Sequence, residues 1–593
     1  MSLRSLRHLL APWTCLALCL TSNSLRAQAD SETQPPWIGD RWRAEHRIID
    51  LHQHIDGTAD HIQRAVGILD RVGVGVGVNL SGGTVTHKTG EISEFERTQA
   101  LEEKLAPGRF VNYFNLDYKG WDDLDFGLRA VAQVDEANRL GAAGFKQDKS
   151  LGLYLRDSQG ELIKIDDPKL DGVWRRCGEL KLPVSIHVAD PRAFWLPYAQ
   201  QNERWKELKD HPRWWFGDPK QFPSRDDLLK ALDRVIARHT NTTFVCVHFA
   251  NNSEDLDWVD RMLDLRPNMS ADLAARIPEI GRQDPERVRR LFLKHQDRIY
   301  FATDFQVYDR LILGSAGDAE RPTDDDADLF FRKEWRWLET RDRDWAHMTP
   351  IQGDWRISSI GLPEDVLRKI YFDNARKLLV HSLPFVTLRA SRIAKDFEPS
   401  TLRKSAEFAA ATPFFLEQET LSGTARTELS TECRAVWSDR YLYLSYDCPF
   451  TKLTAFSPVL GQERIQQGKA LWDKDVVEAF VGSDASHPGH YTEYEWAPNG
   501  ESLDLRIRRP DSDFVWSSGM KSAVVIDEQL KRWRCEARIP LSSLGAEPPK
   551  VGTRWRLNLY RIDRAHRAFL AMNPTLNGSF HTVDRFGWLE FAP

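Results

Sequence analysis

The stretch Ile48-Ile-Asp-Leu-His-Gln-His-Ile55 combines a strand pattern with two closely spaced histidines. Its aliphatic residues are typical of a strand that is buried on both faces. Residues two apart in a strand point to the same face, so His52 and His54 are predicted to point the same way. Two neutral imidazoles side by side form half of a site for zinc, iron or manganese. His-x-His pairs are mostly incidental, so the other half has to come from elsewhere in the chain.

From about residue 45 to residue 380, short apolar strands alternate with helical patterns, which predicts a parallel sheet wrapped by helices. The predicted strands are Arg47–Ile55, Val74–Leu80, Phe110–Asp117, Gly144–Asp148, Pro183–Val188, Thr243–Phe249, Asn268–Leu273 and Arg298–Phe305. The helix-period stretches between them include Thr58–Gly73, Asp122–Gly141, Arg225–His239 and Pro285–Lys294. This order predicts an α/β fold, a (β/α)₈ TIM barrel, whose active site lies at the C-terminal ends of the strands.

Four further polar residues stand at the ends of apolar strands, where burial without a partner is costly. They are Lys146 on the fourth strand, His187 on the fifth, His248 on the sixth and Asp304 on the eighth. Each has an ordinary structural explanation when taken alone, such as a satisfied core histidine or a capping aspartate. Their recurrence at successive strand ends, together with the first-strand histidines, predicts a metal site.

Two segments are too long to be simple connections, Asp190–Ser224 and Gln306–Asp354. Both leave the catalytic face, so they are predicted to form walls or lids of the pocket. The first is rich in aromatic residues that either pack it against the barrel or contact substrate: Trp195, Trp205, Trp214, Trp215 and Phe216.

The β/α rhythm ends near Leu383, and hairpin-like stretches follow, which predicts an all-β sandwich. These stretches are Glu432–Trp437, Tyr441–Tyr446, Val476–Gly482, Tyr491–Trp496, Ser502–Arg508, Arg532–Pro540 and Trp555–Arg561. The chain is therefore divided into a signal peptide (1–29), a barrel (30–385) and a β-sandwich (386–593). The sandwich is expected to be an independent module; the alternative is that it packs over the catalytic face and completes the pocket.

The length of 593 residues predicts two or three domains, and 41% apolar with 28% charged residues is typical of a folded protein. The net charge of −6 leaves no basic surplus to neutralise phosphates. A nucleic-acid partner is therefore disfavoured, and a small-molecule substrate is expected.

The first 29 residues have the pattern of a signal peptide: Arg4 and Arg7, an apolar run from Leu9 to Leu20, and Ala27-Gln28-Ala29 as a cleavage site. The protein is therefore expected to be secreted or periplasmic. The apolar run is too short to be a permanent transmembrane helix, so no transmembrane segment is expected after cleavage.

Cleavage would leave five of the seven cysteines. Cys177 and Cys246 lie in apolar patterns and are predicted to be buried thiols. Cys433 and Cys448 flank a hairpin signal and are candidates for a disulfide. The chain has no CxxC motif, so a zinc-finger or redox role has no support.

The order His-x-His, Lys, His, His, Asp resembles the amidohydrolase superfamily, and within it the amidohydrolase-related branch of decarboxylases and lactone hydrolases. The closing stretch Gly361-Leu-Pro-Glu-Asp-Val-Leu-Arg-Lys-Ile-Tyr-Phe-Asp-Asn374-Ala-Arg-Lys-Leu-Leu carries the same resemblance, which covers about residues 45–380. It implies that His52, His54, His187 and Asp304 are metal ligands or near-ligands. It also implies that His248 polarises the substrate or shuttles a proton.

The resemblance leaves two roles open for Lys146. In two-metal members of the superfamily a fourth-strand lysine is carboxylated and bridges the ions; a free lysine would instead bind a substrate carboxylate. The branch that this chain resembles implies one divalent ion rather than two, with zinc as the first expectation.

The metal chemistry predicts the roles of two further side chains. A divalent ion polarises a carbonyl group and acidifies water, and Asp304 is placed to act as general base and then acid. Arg276, just after the seventh strand, either clamps a substrate carboxylate or is an ordinary surface or salt-bridged arginine.

Residues from about 391 to 593 resemble the family 9 carbohydrate-binding β-sandwich. The matching stretches include Leu471-Trp-Asp-Lys-Asp-Val-Val-Glu-Ala-Phe480 and Tyr491-Thr-Glu-Tyr-Glu-Trp-Ala-Pro-Asn-Gly500. Flat sugar faces stack on exposed aromatic rings, so Trp472 and Trp516 are candidate sugar-binding residues, although core packing is the commoner role of tryptophan.

The first expected function is metal-dependent hydrolysis of an ester, lactone or amide in a small carboxylated or sugar-derived substrate. Non-oxidative decarboxylation by the same ligands is the alternative among enzymes. A carbohydrate-binding protein with an inactive barrel is the alternative from another class.

Overall fold

The structure is a computed structural model that describes residues 37–593, except for 88, 319, 380–381, 384, 461–469, 485–486, 546 and 577. The predicted signal peptide, with Cys15 and Cys19, lies outside the described residues. Within the described part of the chain, no helix combines the length and the apolar character that a membrane crossing needs.

A parallel sheet forms the first domain, with its strands in sequence order around a barrel. Its strands are β1 Ile48–Ile55, β2 Val74–Asn79, β3 Phe110–Asn115, β4 Gly144–Gln147, β5 Val184–Ile186, β6 Phe244–Cys246, β7 Met269–Asp272, β8 Ile299–Tyr300 and β9 Phe305–Val307. The expected TIM-like fold is confirmed, and each predicted strand corresponds to an observed one.

The eighth strand is interrupted, and this interruption closes the barrel. β8 pairs with β7, whereas β9 pairs in parallel with β1, joining Gln53 to Phe305. Between them, Leu51 N–H donates to the Phe301 carbonyl, and Asp304 N–H donates to the His52 carbonyl. Asp304 has a φ of +61°, which breaks the extended geometry and separates the two segments.

Helices cover the outside of this barrel. Those of eight or more residues are Ala59–Val72, Glu94–Leu105, Phe126–Arg139, Asp171–Glu179, Arg225–Arg238, Leu256–Leu265, Pro285–Lys294 and Asp324–Glu339. The shorter ones are Asp40–Ala44, Ser150–Leu153, Trp205–Leu208, Val247–Ala250, Ile277–Gly281, Glu364–Arg368 and Asn374–Leu378.

The helix Asp324–Glu339 lies inside the long segment that was expected to be only a wall or lid. Thr323 caps it in a capping box with Asp326, and its apolar face buries Phe331 and Trp335. It packs against the helix Ala59–Val72. The segment also contains β10 Leu311–Leu313, which forms a hairpin with β9, and a small ribbon of β11 Trp345–Ala346 and β12 Arg356–Ile357.

The second domain is all-β apart from short helical turns and the helix Ala406–Ala410, and the expected sandwich is confirmed. Its strands are β13 Thr387–Arg392, β14 Phe414–Leu416, β15 Gln418–Glu419, β16 Thr431–Trp437, β17 Tyr441–Pro449, β18 Val476–Gly482, β19 His490–Trp496, β20 Ser502–Arg508, β21 Asp511–Asp513, β22 Lys521–Asp527, β23 Arg532–Pro540, β24 Arg554–Asp563, β25 Ala568–Ala571 and β26 Gly587–Phe591.

Two groups of these strands face each other across one apolar core. β21, β20, β19, β18, β24 and β26 form one side, and β13, β16, β17, β23 and β22 form the other. Tyr494 and Leu557 from the first group share that core with Leu444 and Ala537 from the second. A smaller apolar cluster, including Phe480 and Tyr491, lies on the outer face of the first group.

The two domains touch at the end of the barrel opposite its catalytic face. Glu417 of the sandwich is buried between Arg47, which immediately precedes β1, and Arg376, whose Nη1 lies 3.0 Å from Glu417 Oε1. The Arg47 guanidinium also lies over the ring of Phe415. Because the N-terminal end of β1 is the far end from His54, these contacts run against the alternative in which the sandwich completes the pocket.

The described cysteines are Cys177, Cys246, Cys433, Cys448 and Cys535, and all are free and buried. The candidate disulfide between Cys433 and Cys448 is therefore wrong. Cys433 lies opposite Tyr446 in the β16–β17 ladder, whereas Cys448 lies opposite Trp533 in the β17–β23 ladder, so the two side chains are not cross-strand partners.

Candidate metal centre and active site

A cavity of about 410 Å³ opens at the C-terminal ends of the barrel strands. Every barrel residue singled out from the sequence lines it: His52, His54, Lys146, His187, His248, Arg276 and Asp304. Both long segments contribute walls, the first through Phe194, Arg204 and Trp214 and the second through Arg310 to Ala316. Of the aromatic residues proposed for the first wall, Trp214 faces the cavity.

Three of the predicted ligands converge on one point. The Nε2 atoms of His52 and His54 are 3.2 Å apart, and each lies 3.6 Å from Asp304 Oδ1. Among the described residues, these three offer ligand atoms that all lie within 4.8 Å of one another. The strand register explains the pairing, because β1 carries both histidines on one face and β9 places Asp304 beside its end.

The two histidines are held with these nitrogens facing each other. His52 Nδ1 lies 2.9 Å from Asp272 Oδ2, and His54 Nδ1 lies 2.6 Å from Ser81 Oγ. A carboxylate at Nδ1 fixes the tautomer, so Nε2 of His52 is the unprotonated nitrogen. Asp272 ends β7 just as the other polar residues end their strands, so the signal was present in the sequence but was not used.

His187 lines the same cavity but stands outside the group of three. Its Nε2 lies 3.2 Å from Asp190 Oδ1, and its ring packs against that of His248 at 4.3 Å between centroids. Asp190 in turn receives Lys149 Nζ at 2.5 Å on its other oxygen. Asp190 therefore competes for the nitrogen that the sequence assigned to a metal ion.

His248 is presented by a strained turn. His248, Phe249, Ala250 and Asn251 all have φ between 54° and 62°. Left-handed conformations cost L-residues roughly 1–2 kcal/mol each, and such strain collects at functional sites. Asp272 Oδ1 accepts from His248 N–H at 2.7 Å, and His248 Nδ1 donates to the Ala274 carbonyl at 2.8 Å, which leaves Nε2 of this ring free of that bond.

Burial controls the charge of these groups. It lowers the pKa values of His52, His54 and His248 well below the ordinary value, so the three imidazoles are neutral at pH 7. Burial raises the pKa of Asp304 to about 7, against the opposing influence of Lys146 and Arg276.

Lys146 adds a cation beside the histidines. Its Nζ lies 3.4 Å from His52 Nε2, and burial lowers its pKa to about 8. A lysine amine with a depressed pKa is more readily neutral, and the neutral amine is the form that can be carboxylated or act as a base.

This donor set fits a divalent ion of the zinc type. Two neutral imidazoles and a carboxylate are nitrogen and oxygen ligands that such ions prefer, and the remaining side faces open space. A second cluster of Asp260, Asp264 and His295 lies on the outside of the barrel. Lys294 Nζ already binds both of its carboxylates, at 2.8 and 2.6 Å, so that cluster is an ordinary ion-pair group.

The candidate sugar-binding residues lie apart from this centre, in the sandwich. Trp472 is in a helical turn before β18 and is 37% exposed, whereas one face of Trp516 is covered by the Arg506 guanidinium at 4.6 Å. Among the described residues, the two rings make no contact with each other.

The outer face of the sandwich also buries three glutamates that sequence reasoning did not single out as a group. Glu478 lies opposite Glu495 in the β18–β19 ladder, and Glu493 is two residues from Glu495. Each has a carboxylate oxygen without a hydrogen-bond partner among the described residues.

Comparison with known proteins places residues 96–380 in a family model described as Amidohydrolase, so this part of the chain is an amidohydrolase-family domain. The predicted resemblance is thereby confirmed for the barrel, although the match begins after His52 and His54.

Three individual proteins illustrate the similarity. An "Extracellular protein" of Arthroderma benhamiae is 23% identical over 180 residues, which is 27% of this chain and 78% of that protein. The 2,6-dihydroxybenzoate decarboxylase from Rhizobium is 15% identical, over 56% of this chain and 98% of the other, with a TM-score of 0.33. A family 9 carbohydrate-binding module of Caldicellulosiruptor kristjanssonii, in complex with cellotriose, is 15% identical over 35% of this chain and 94% of its own, with a TM-score of 0.25.

Proposed function

We propose that the protein is an exported, metal-dependent hydrolase that cleaves an ester, lactone or amide in a small carboxylated or sugar-derived substrate. The observation that carries the proposal is the convergence of His52, His54 and Asp304 within 3.6 Å of one another at the mouth of a cavity. Three ligands with an open side are the arrangement of catalytic rather than structural metal sites.

In this proposal His52, His54 and Asp304 hold one divalent ion, zinc first, and His187 approaches as a further ligand. When bound, the ion supplies Lewis-acid polarisation of a carbonyl group and acidifies water at the site. Competition from Asp190 for His187 Nε2 makes His187 the weakest member of the set. The amine of Lys146, 3.4 Å from His52, supports a single ion with a free lysine over a lysine-bridged pair.

The side chains divide the proton transfers between them. Asp304 takes a proton from the attacking water and returns it to the leaving group, because a carboxyl group with a pKa near 7 serves both steps at neutral pH. Neutral His248, with Nδ1 bound to the Ala274 carbonyl, presents Nε2 to the substrate oxygen. The strained turn at His248 supports this role, since the strain is otherwise uncompensated.

The sandwich is proposed to bind carbohydrate through Trp472, with Trp516 as the second candidate. The exposed indole of Trp472 supports the first assignment, because sugar rings stack on accessible aromatic faces. The signal-peptide pattern supports export, and the name of the fungal relative agrees with it.

A substrate screen tests the enzymatic proposal. Full-length protein loaded with zinc is assayed on panels of esters, lactones, amides and aromatic carboxylic acids, with release of carbon dioxide measured on the last panel. Hydrolysis that is lost on metal removal and restored by zinc supports the proposal. Carbon dioxide release without hydrolysis would instead establish a decarboxylase. Metal binding without any turnover would favour the carbohydrate-binding protein with an inactive barrel.

A further inference from the structure

Arg276 is held rigidly at the wall of the cavity. It follows β7 by four residues and is 8% exposed. Ala275 before it has a φ of +54°, and the Ala275 carbonyl accepts from Arg276 Nη1 at 3.0 Å and from Gln352 Nε2 at 3.1 Å. The guanidinium is thus fixed against its own backbone turn before any ligand arrives.

The acidic groups around Arg276 are engaged by other cations. Asp190 Oδ1 is 3.7 Å from Arg276 Nη2, but Asp190 binds Lys149 at 2.5 Å and His187 at 3.2 Å. The nearby glutamates Glu207 and Glu279 both bind the neighbouring Arg204.

Arg276 therefore keeps unused donors in a buried position. Its Nη1–carbonyl bond is the one hydrogen bond that the described residues provide to it. A buried guanidinium without a close counter-charge is costly, so a ligand that supplies two acceptor oxygens gains more here than in water.

We propose that Arg276 binds a carboxylate group of the substrate, which makes the substrate a small carboxylic acid anchored beside the His52–His54–Asp304 group. This inference rests on the proposed function, since it names the class of molecule that the same cavity takes. The guanidinium fork matches the two oxygens of a carboxylate in one plane. A cavity of about 410 Å³ is near the lower end of ligand pockets and suits a small molecule rather than a polymer.

The distance to the reacting groups is short enough for one small molecule to reach both. Arg276 lowers the pKa values of both His248 and Asp304, although burial is the larger influence on each. Trp214 and Phe194, which stack with ring centroids 6.0 Å apart, give the cavity an apolar wall for the body of the molecule.

The test compares benzoate with its neutral isostere benzamide. Isothermal titration calorimetry measures both affinities on full-length, zinc-loaded protein, for the wild type, Arg276→Gln, Arg276→Lys and the surface control Arg287→Gln. A charge-assisted bidentate contact predicts that the wild type binds benzoate about tenfold or more tightly than benzamide. Arg276→Gln removes that preference and Arg276→Lys reduces it, because an ammonium group lacks the planar fork. Arg287→Gln keeps it.

Three results would overturn the inference: undetectable benzoate binding by the wild type, equal affinities for benzoate and benzamide, or an unchanged preference in Arg276→Gln. If Arg276→Gln does not fold, Arg276→Lys carries the comparison, and an unchanged preference there has the same meaning. A protein that binds benzoate through Arg276 but hydrolyses nothing contradicts the proposed function and not this inference. A hydrolase whose Arg276→Gln variant retains the preference does the reverse.

Discussion

The Nδ1 atom of His52 lies 2.9 Å from the Oδ2 atom of Asp272, and both side chains are buried. Asp272 also accepts the backbone N–H of His248 through Oδ1. One carboxylate therefore sets the orientation of the first-strand histidine and anchors the strained turn that presents His248.

Replacing Asp272 by Asn tests this arrangement. The amide turns one acceptor into a donor, so either His52 or the His248 backbone loses its partner. We expect zinc affinity, measured by competition with a chelator, to fall about 10–100-fold. The exposed Asp264→Asn variant is the matched control and should bind zinc like the wild type. Unchanged affinity in Asp272→Asn would show that this contact does not orient the ligand.

Replacing Asp304 by Asn separates ligation from proton transfer. The amide oxygen retains part of the metal affinity, but the amide cannot take a proton from water. We expect a partly metal-loaded protein with no measurable turnover of a substrate found in the screen. Wild-type turnover per bound ion would remove the proposed base role of Asp304.

Much of the barrel is predictable from the sequence, because each strand is a local apolar run between helix-period stretches. Closure is less so: the positive φ of Asp304 that splits the last strand is a tertiary effect. In the sandwich, β13 and β26 pair in parallel across nearly the whole domain, and no local pattern announces such a pairing. Both strands were missed.

The site residues illustrate the same limit. Period 2 in β1 predicts that His52 and His54 point together, and they do. It does not predict that Asp190 meets His187, since that contact depends on how the chain turns after β5. The burial of Cys177 and Cys246 follows from their apolar neighbours, whereas the register that separates Cys433 from Cys448 does not.

Deleting the sandwich tests the domain contact at Glu417. Because Glu417 meets Arg47 and Arg376 at the end of the barrel opposite the cavity, residues 37–385 should bind zinc and turn over a small soluble substrate at the wild-type rate. The full-length Glu417→Gln variant weakens the contact without deletion and should behave in the same way. A soluble, zinc-loaded barrel without activity would show that the sandwich is part of the active site.

The buried glutamates of the sandwich predict how its stability depends on pH. Burial raises the pKa of Glu493 to about 8 and those of Glu478 and Glu495 well above 4.5. A carboxyl group whose pKa is higher in the folded state stabilises the fold below its unfolded pKa and loses that contribution as the pH rises through the folded value. The urea midpoint of full-length protein should therefore fall between pH 5 and pH 9.

Glu493→Gln should flatten this dependence, because the amide stays neutral throughout, whereas the exposed Glu528→Gln should not change it. A midpoint that rises with pH, or an equal slope in Glu493→Gln, would contradict a buried, protonated cluster.

Metal content provides the sharpest check on the proposed centre. Elemental analysis of full-length protein, loaded with zinc and then desalted, should find about one ion per chain, the stoichiometry of a three- or four-ligand catalytic site. The double variant His52→Ala/His54→Ala should retain almost none, whereas a control with His211→Ala, on the cavity wall away from the group, should retain the full equivalent. A metal-free wild type, or a double variant with undiminished zinc, would contradict a centre built on His52, His54 and Asp304.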